Sequence, residues 1–231
     1  MLDEFYDIIS QLREFPGQGK CLRDVICSYK LPDRGVYFFC EESEKSSSNE
    51  LRIVRVGTHA LKVGSKTTLK DRLKSHLGSM KRNGNHRGSI FRLHVGIAIQ
   101  NRDKSRIPTW GKGSSRPNEV KVNQALFDAE RNMEELVSDI IGSMRVYWIE
   151  TSDIAGPTSV RDIIERESIG LLSKYGVARD PQSSIWLGQY SDKSKIRNSG
   201  LWNLDFIGEN SSPRLLEIMN QCVKNMKNTM V

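Results

Sequence analysis

The chain has 231 residues, an ordinary share of charged residues, a modest apolar share and a net charge of +7. Such a length and composition suit one globular domain with a real core and exclude a disordered or fibrous chain. No apolar run approaches the roughly 20 residues that span a bilayer, and the start lacks the basic and apolar segments of a signal peptide, so a cytoplasmic protein without a membrane partner is expected.

Leu2, Phe5, Ile8, Ile9 and Leu12 recur at helical spacing and predict a helix over about 3–12, stopped by Pro16-Gly17. Residues 20–29 predict a second short helix, with Asp33-Arg34-Gly35 as a turn beyond Pro32. Val36 to Cys40 is rich in β-branched and aromatic residues and predicts a buried strand. A polar, serine-rich loop at 41–49 leads to a partner strand at 51–56. Simple alternation puts Leu51, Ile53 and Arg55 on one face of that strand and Arg52, Val54 and Val56 on the other. Leu69, Leu73 and Leu77 then predict a helix. Arg72 and His76, also four apart, border its apolar stripe and would line a cleft between helix and sheet.

Further on, 78–88 reads as a basic loop, 89–99 as a third strand and 101–118 as a long basic loop around Trp110. Loops of that length in compact domains are usually functional or disordered. A helix at 124–144, a strand at 145–149, a helix at 159–175 ended by Gly176, a short strand at 199–203 and a closing helix at 215–226 complete the reading. The expected fold class is α+β, a small antiparallel sheet of about three to four strands flanked by helices. One domain covers 1–231, with a core at about 33–176, a basic insertion at 78–118, N-terminal helices at 1–31 and a C-terminal extension at 177–231. Cys21, Cys27, Cys40 and Cys222 show no metal-type pairing and read as reduced thiols, not a zinc site.

Charge is unevenly spread. From Lys62 to Arg116 there are 14 Lys and Arg against Asp71 and Asp103, a balance of +12; the remainder carries 7 − 12 = −5. Charge runs are usually solvated surface. This one coincides with His76, His86 and His94, with His59 just before it, which favours a polyanion-binding face.

Gly35-Val36-Tyr37, Val56-Gly57, the helical pair Arg72 and His76, and Glu165 on a later helix occur in an order that resembles the GIY-YIG nuclease superfamily. The resemblance spans about 35–175; Asn85-His86-Arg87-Gly88-Ser89 and 199–203 are similar to features of a bacterial, restriction-enzyme-like subgroup. It implies a metal-dependent endonuclease acting on DNA, with restriction or phage defence as the setting. Glu165 is then the ligand of Mg²⁺ or another divalent cation, Arg72 the phosphate clamp, Tyr37 the base or water-orienting phenol, and His76 and His59 proton carriers. Arg55, Lys62, Lys81, Arg82, His86, Arg87 and Arg92 are the expected nucleic-acid contacts. Taken on periodicity alone, Glu167 has a claim comparable to that of Glu165, and either could be a plain surface glutamate.

Three departures accompany the resemblance. Arg55 stands where the family has its second tyrosine. The asparagine expected about ten residues after Glu165 has no match, for which Asn203 is the candidate substitute; and about 80 residues separate the Arg/His helix from the glutamate helix. The alternatives are a nucleic-acid-binding module that has lost catalysis and an RNA-processing nuclease. DNA is the expected partner, with a homodimer as the open oligomeric question.

Overall fold

The computed structural model describes residues 1–156, 158–173 and 176–229, so the expected helix end at Tyr175 lies outside the described residues. Strands β1 (Lys20–Cys21), β2 (Gly35–Lys45), β3 (Leu51–Gly57) and β4 (Arg145–Glu150) form one antiparallel sheet in the order β1-β4-β2-β3. Helices α1 (Leu2–Gln11), α2 (Leu22–Ser28), α3 (Leu69–Leu77), α4 (Ile90–Arg102), α5 (Asn118–Val122), α6 (Gln124–Ser143), α7 (Val160–Leu172), α8 (Ser194–Ser199) and α9 (Pro213–Asn228) surround it. The α+β expectation holds, and β2 and β3 form the expected hairpin. Among the described residues no helix is long and apolar enough to cross a membrane.

Both faces of the sheet are covered, because alternate residues of β2 enter different cores. Val36, Phe38 and Cys40 meet Phe5 of α1, Ile164 of α7 and Leu215 and Met219 of α9. Tyr37 and Phe39 enter the opposite core with Val25 of α2, Leu73 of α3, Phe91 of α4 and Val137 of α6. Trp186 and Trp202 belong to this second core, so the stretch read as a C-terminal extension supplies part of the centre.

Strand β3 departs from simple alternation. Phe39 pairs with Arg55 but the next residue, Cys40, pairs with Ile53, so Val54 is an extra residue. This bulge turns Val56 back into the core with Ile53 and sends Arg55 to the face of Tyr37 and Phe39. The Arg55 guanidinium lies over the Phe91 ring, 4.7 Å from its centroid. Alternation alone placed Arg55 and Val56 on the wrong faces.

The segment expected as a third strand is helix α4. Ser89 caps it by accepting the Arg92 N–H, and its buried residues Phe91, Val95, Ala98 and Ile99 repeat at helical spacing. The short strand expected at 199–203 is likewise absent. Instead α8 ends at Gly200 in the left-handed region (φ 68°), and the chain then runs along the open edge of β3. Trp202 N–H donates to Val54 O (2.7 Å), and the Asn203 amide makes two bonds to the Val56 backbone (3.1 and 2.9 Å). Side-chain bonds to one residue replace a ladder there. The segment shields the exposed strand edge.

Buried Arg92 fastens the segment between α3 and α6. Its Nη1 donates to the carbonyls of His76 and Leu77 at the end of α3 (2.8 and 2.9 Å), and its Nε and Nη2 reach Glu134 and Ser138 of α6. A Cβ on Gly84 would lie 1.8 Å from Arg92 Nη2, so the loop passes the guanidinium as glycine. The other Glu134 oxygen accepts from His86 N (2.6 Å) and His86 Nδ1 (2.8 Å), while His86 Nε2 accepts the Gly111 N–H. His86 stacks on Trp110 at 3.7 Å, and Arg87 pairs with Glu130 (2.7 Å). The expectation that His86, Arg87 and Arg92 face nucleic acid is therefore corrected. All three side chains are buried against two carboxylates of α6, and Trp110 is an internal brace stacked on His86.

Removing Glu134 would strand a buried guanidinium and an imidazole N–H without partners. Glu134→Ala should lose roughly 3–5 kcal/mol of unfolding free energy in urea, the usual cost of breaking one side of a buried pair. A loss within the roughly 0.5 kcal/mol typical of surface changes would refute this role.

Candidate active site

Tyr37 lies opposite Gly57 across the β2–β3 pair. A Cβ at position 57 would come 2.2 Å from Tyr37 Oη, so glycine lets the phenol lie across the neighbouring strand. The Tyr37 hydroxyl is 2.8 Å from Nε2 of His76, which α3 lowers onto the same core face. The other ring nitrogen, Nδ1, is 2.9 Å from Ser89 Oγ at the start of α4. Burial holds the His76 pKa well below its ordinary value, helped by the nearby charges of Arg55, Arg72 and Arg92, so this imidazole is neutral.

Beyond Gly57 two side chains clasp the turn before β2. Thr58 Oγ1 donates to Gly35 O (2.9 Å), and His59 Nε2 bonds Asp33 O (3.0 Å). A carbonyl only accepts, so Nε2 carries the His59 proton and Nδ1, buried without a partner among the described residues, is a bare acceptor. Burial lowers the His59 pKa; the Asp33 bond opposes this, and the charges of Arg161, Arg34 and Arg72 add to it. Arg161 also donates to His59 O (2.7 Å) and is held by Asp153 (3.0 Å).

Helix α7 brings Glu165 to this place, where its Oε1 accepts the Thr58 N–H (3.2 Å). Burial pushes its pKa up to about 7, although Arg55, the Thr58 N–H and Arg72 pull it back. Glu167 turns elsewhere: it accepts from Ser212 N and Oγ (2.9 Å each) at the start of α9. Helix position thus separates two glutamates that periodicity left equal, and Glu167 is a cap. Asn203 is corrected in the same way. Its amide is engaged by the edge of β3, so it does not stand in for a catalytic asparagine.

Arg55 Nη1 donates to Trp202 O (2.6 Å), yet among the described residues its Nε is buried without a partner. Arg72 Nε, Arg34 Nη1 and Arg161 Nη2 share that state. Buried N–H groups without acceptors are costly and mark a place where an anion or water belongs. Arg72 thus acts on His59, His76 and Glu165, Arg55 acts on His76 and Glu165, and Tyr37 is hydrogen-bonded to His76; Arg34, Thr58, Ser89 and Arg161 join this set. Of the four additions only Arg161 carried a sequence signal: it precedes Glu165 by one helical turn. Lys62, Lys81 and Arg82 are exposed, and Arg82 pairs with Asp139 (3.1 Å).

Among the described residues no group of three or more His, Cys, Asp or Glu could hold a metal ion. A lone carboxylate still fits Mg²⁺, which commonly takes one or two protein carboxylates and fills its other positions with water and phosphate oxygens. The burial that raises the Glu165 pKa leaves a carboxylate whose charge a divalent cation would offset.

A family model described as a GIY-YIG domain matches residues 1–229. No curated protein and no solved structure matches.

The raised Glu165 pKa has a thermal signature. Between its ordinary 4.5 and about 7 the folded state holds a proton that the unfolded chain has released, so rising pH destabilises the fold across that window. Glu165→Gln carries no such penalty. In metal-free buffer its melting temperature should match the parent below 4.5, exceed it increasingly up to about 7, and exceed it by a constant margin above that. A pH-independent difference would contradict the burial argument.

Proposed function

The chain belongs to the GIY-YIG domain family, whose members are nuclease-type domains, and on that premise we propose that it is a metal-dependent endonuclease hydrolysing phosphodiester bonds of DNA, in restriction or phage defence. The observation that carries this reading is the convergence of Glu165, from a helix about 90 residues beyond His76, with Arg55, Arg72 and the Tyr37–His76 pair.

Hydrolysis forms a bond from water oxygen to phosphorus, breaks the phosphorus–oxygen bond of the leaving group, and needs the extra negative charge offset in between. Arg72 and Arg55 suit that last task, since a guanidinium stays charged and each has a buried N–H without an internal acceptor. Tyr37 Oη, fixed by His76, is suited to orient the attacking water and take part in removing its proton. His59 offers a bare, neutral Nδ1, so it can receive a hydrogen bond from water but holds no spare proton for a leaving group there. Glu165 would hold Mg²⁺, which would supply Lewis-acid polarisation of the phosphate. The exposed cations Lys62, Lys81 and Arg82 suit contacts to the DNA backbone, which position the duplex without reading its sequence.

Plasmid cleavage in Mg²⁺ tests the reading. Glu165→Ala and Arg72→Ala should each slow cutting by roughly 10²–10³, the scale of losing one positioned transition-state group. Parent-like cutting by both variants would sink the site assignment, and parental cleavage of RNA but not duplex DNA would sink the substrate. Mg²⁺ should also raise the melting temperature of the parent above pH 7 and leave that of Glu165→Gln unchanged.

A further inference from the structure

Helix α7 meets the two residues that follow Gly57 one after the other. Its Glu165 accepts the Thr58 N–H (3.2 Å), and one turn earlier Arg161 Nη1 donates to His59 O (2.7 Å). Glu165 is also the group offered to a metal, whereas Arg161 has no second task of that kind. The Arg161 side chain is fully buried, and its Nε donates to Asp153 Oδ1 (3.0 Å). Asp153 in turn accepts from Ser159 Oγ, just ahead of α7. The guanidinium therefore bridges the segment after β4 to the segment after β3. His59 is the residue it reaches there, and the ring of that residue is tied through Nε2 to Asp33 O at the turn before β2 (3.0 Å). Backbone and ring of His59 are thus held by different elements. Arg161 Nη2 has no acceptor among the described residues, so stability does not explain why this side chain is buried. Three cations act on the His59 ring, Arg161 first and then Arg34 and Arg72, and Asp71 of α3 lies within range of its charge.

We propose that Arg161 is a positioning residue that acts through His59. By joining the His59 carbonyl to Asp153 it fixes the residue whose bare Nδ1 receives a hydrogen bond from water, and it does so one helical turn from the carboxylate offered to the metal. Its permanent charge also disfavours a second proton on the ring, which leaves Nδ1 open to accept. The role in cleavage rests on the nuclease reading; the link between Arg161 and His59 does not.

The test is a double-mutant cycle in plasmid cleavage with Mg²⁺, together with nitrogen-15 NMR of the intact, metal-free chain, with His59 assigned by His59→Gln. Arg161→Gln should lower kcat by about 10- to 100-fold, the scale of a displaced reacting geometry, and change KM by less than about 3-fold. His59→Gln should lower kcat by a similar factor. The double variant should be within about twofold of His59→Gln, since the guanidinium then has no ring to place; a merely structural Arg161 would act independently, and the two losses would multiply. In the NMR titration the His59 ring should take up its second proton at higher pH in Arg161→Gln than in the parent, because a charge that disfavours that proton is gone, while Arg161→Lys should stay near the parent. Multiplying losses, or a His59 titration that Arg161→Gln does not move, would overturn the proposal. Arg161→Lys keeps the charge beside Asp153 but lacks the fork that reaches both partners, and it goes through the same cycle where Arg161→Gln does not fold. A parent that does not cut would overturn the nuclease reading, and the titration alone would then decide whether Arg161 acts on His59.

Discussion

One buried guanidinium organises the half of the molecule that holds the site. Arg92 has five N–H groups, and it directs them at two carbonyls of α3 and at the carboxylate, carbonyl and serine hydroxyl of α6. Burying a charge is unfavourable unless it is paired and its hydrogen bonds are met, and a pair of this kind is more convincing as a specifier of geometry than as a source of stability. The geometry it specifies is the end of α3. There the His76 backbone carbonyl accepts from Arg92 while its ring meets Tyr37 and Ser89. The long segment between α3 and α6 is thus a frame for the imidazole.

A second constraint is electrostatic. Three cations act on a neutral His76, and Arg55 and Arg72 also act on Glu165. Arg161 is paired with Asp153, but Arg55 and Arg72 both act on Glu165, and each keeps a buried N–H without an acceptor among the described residues. A polyanion would complete what the fold leaves unpaired, and partly desolvated positive charges produce a stronger potential than the same charges on the surface.

The elements that were legible in the sequence are those with local signals. The hairpin, α3, α6 and α7 follow from apolar periodicity and from turn residues, and with them the placing of Tyr37 on β2, Arg72 and His76 on α3 and Glu165 on α7. Helix α4 was misread as a strand because its β-branched residues suggested an extended chain, while its burial obeys a helical period. His86, Arg87 and Arg92 look like surface cations in sequence. Their partners Glu130 and Glu134 sit some 40 residues away on α6. The bulge in β3 has no sequence signature either, yet it decides which face receives Arg55. Long-range pairing and one extra residue in a strand are the two things that periodicity cannot carry.

The bonds along the edge of β3 have a bearing on how the protein is made. Arg52 reaches Gly200 O across 148 positions, Arg55 reaches Trp202 O across 147, and Asn203 seals Val56 across the same span. Contacts of such separation close late, after the entropy of a long loop has been lost. During synthesis the hairpin and α3 emerge well before residues 200–203 do, so Arg55 waits without its carbonyl and the strand edge stays open. The surroundings of Arg55 are completed only when that late segment folds back, and a half-made chain carries the parts of the site without its final arrangement.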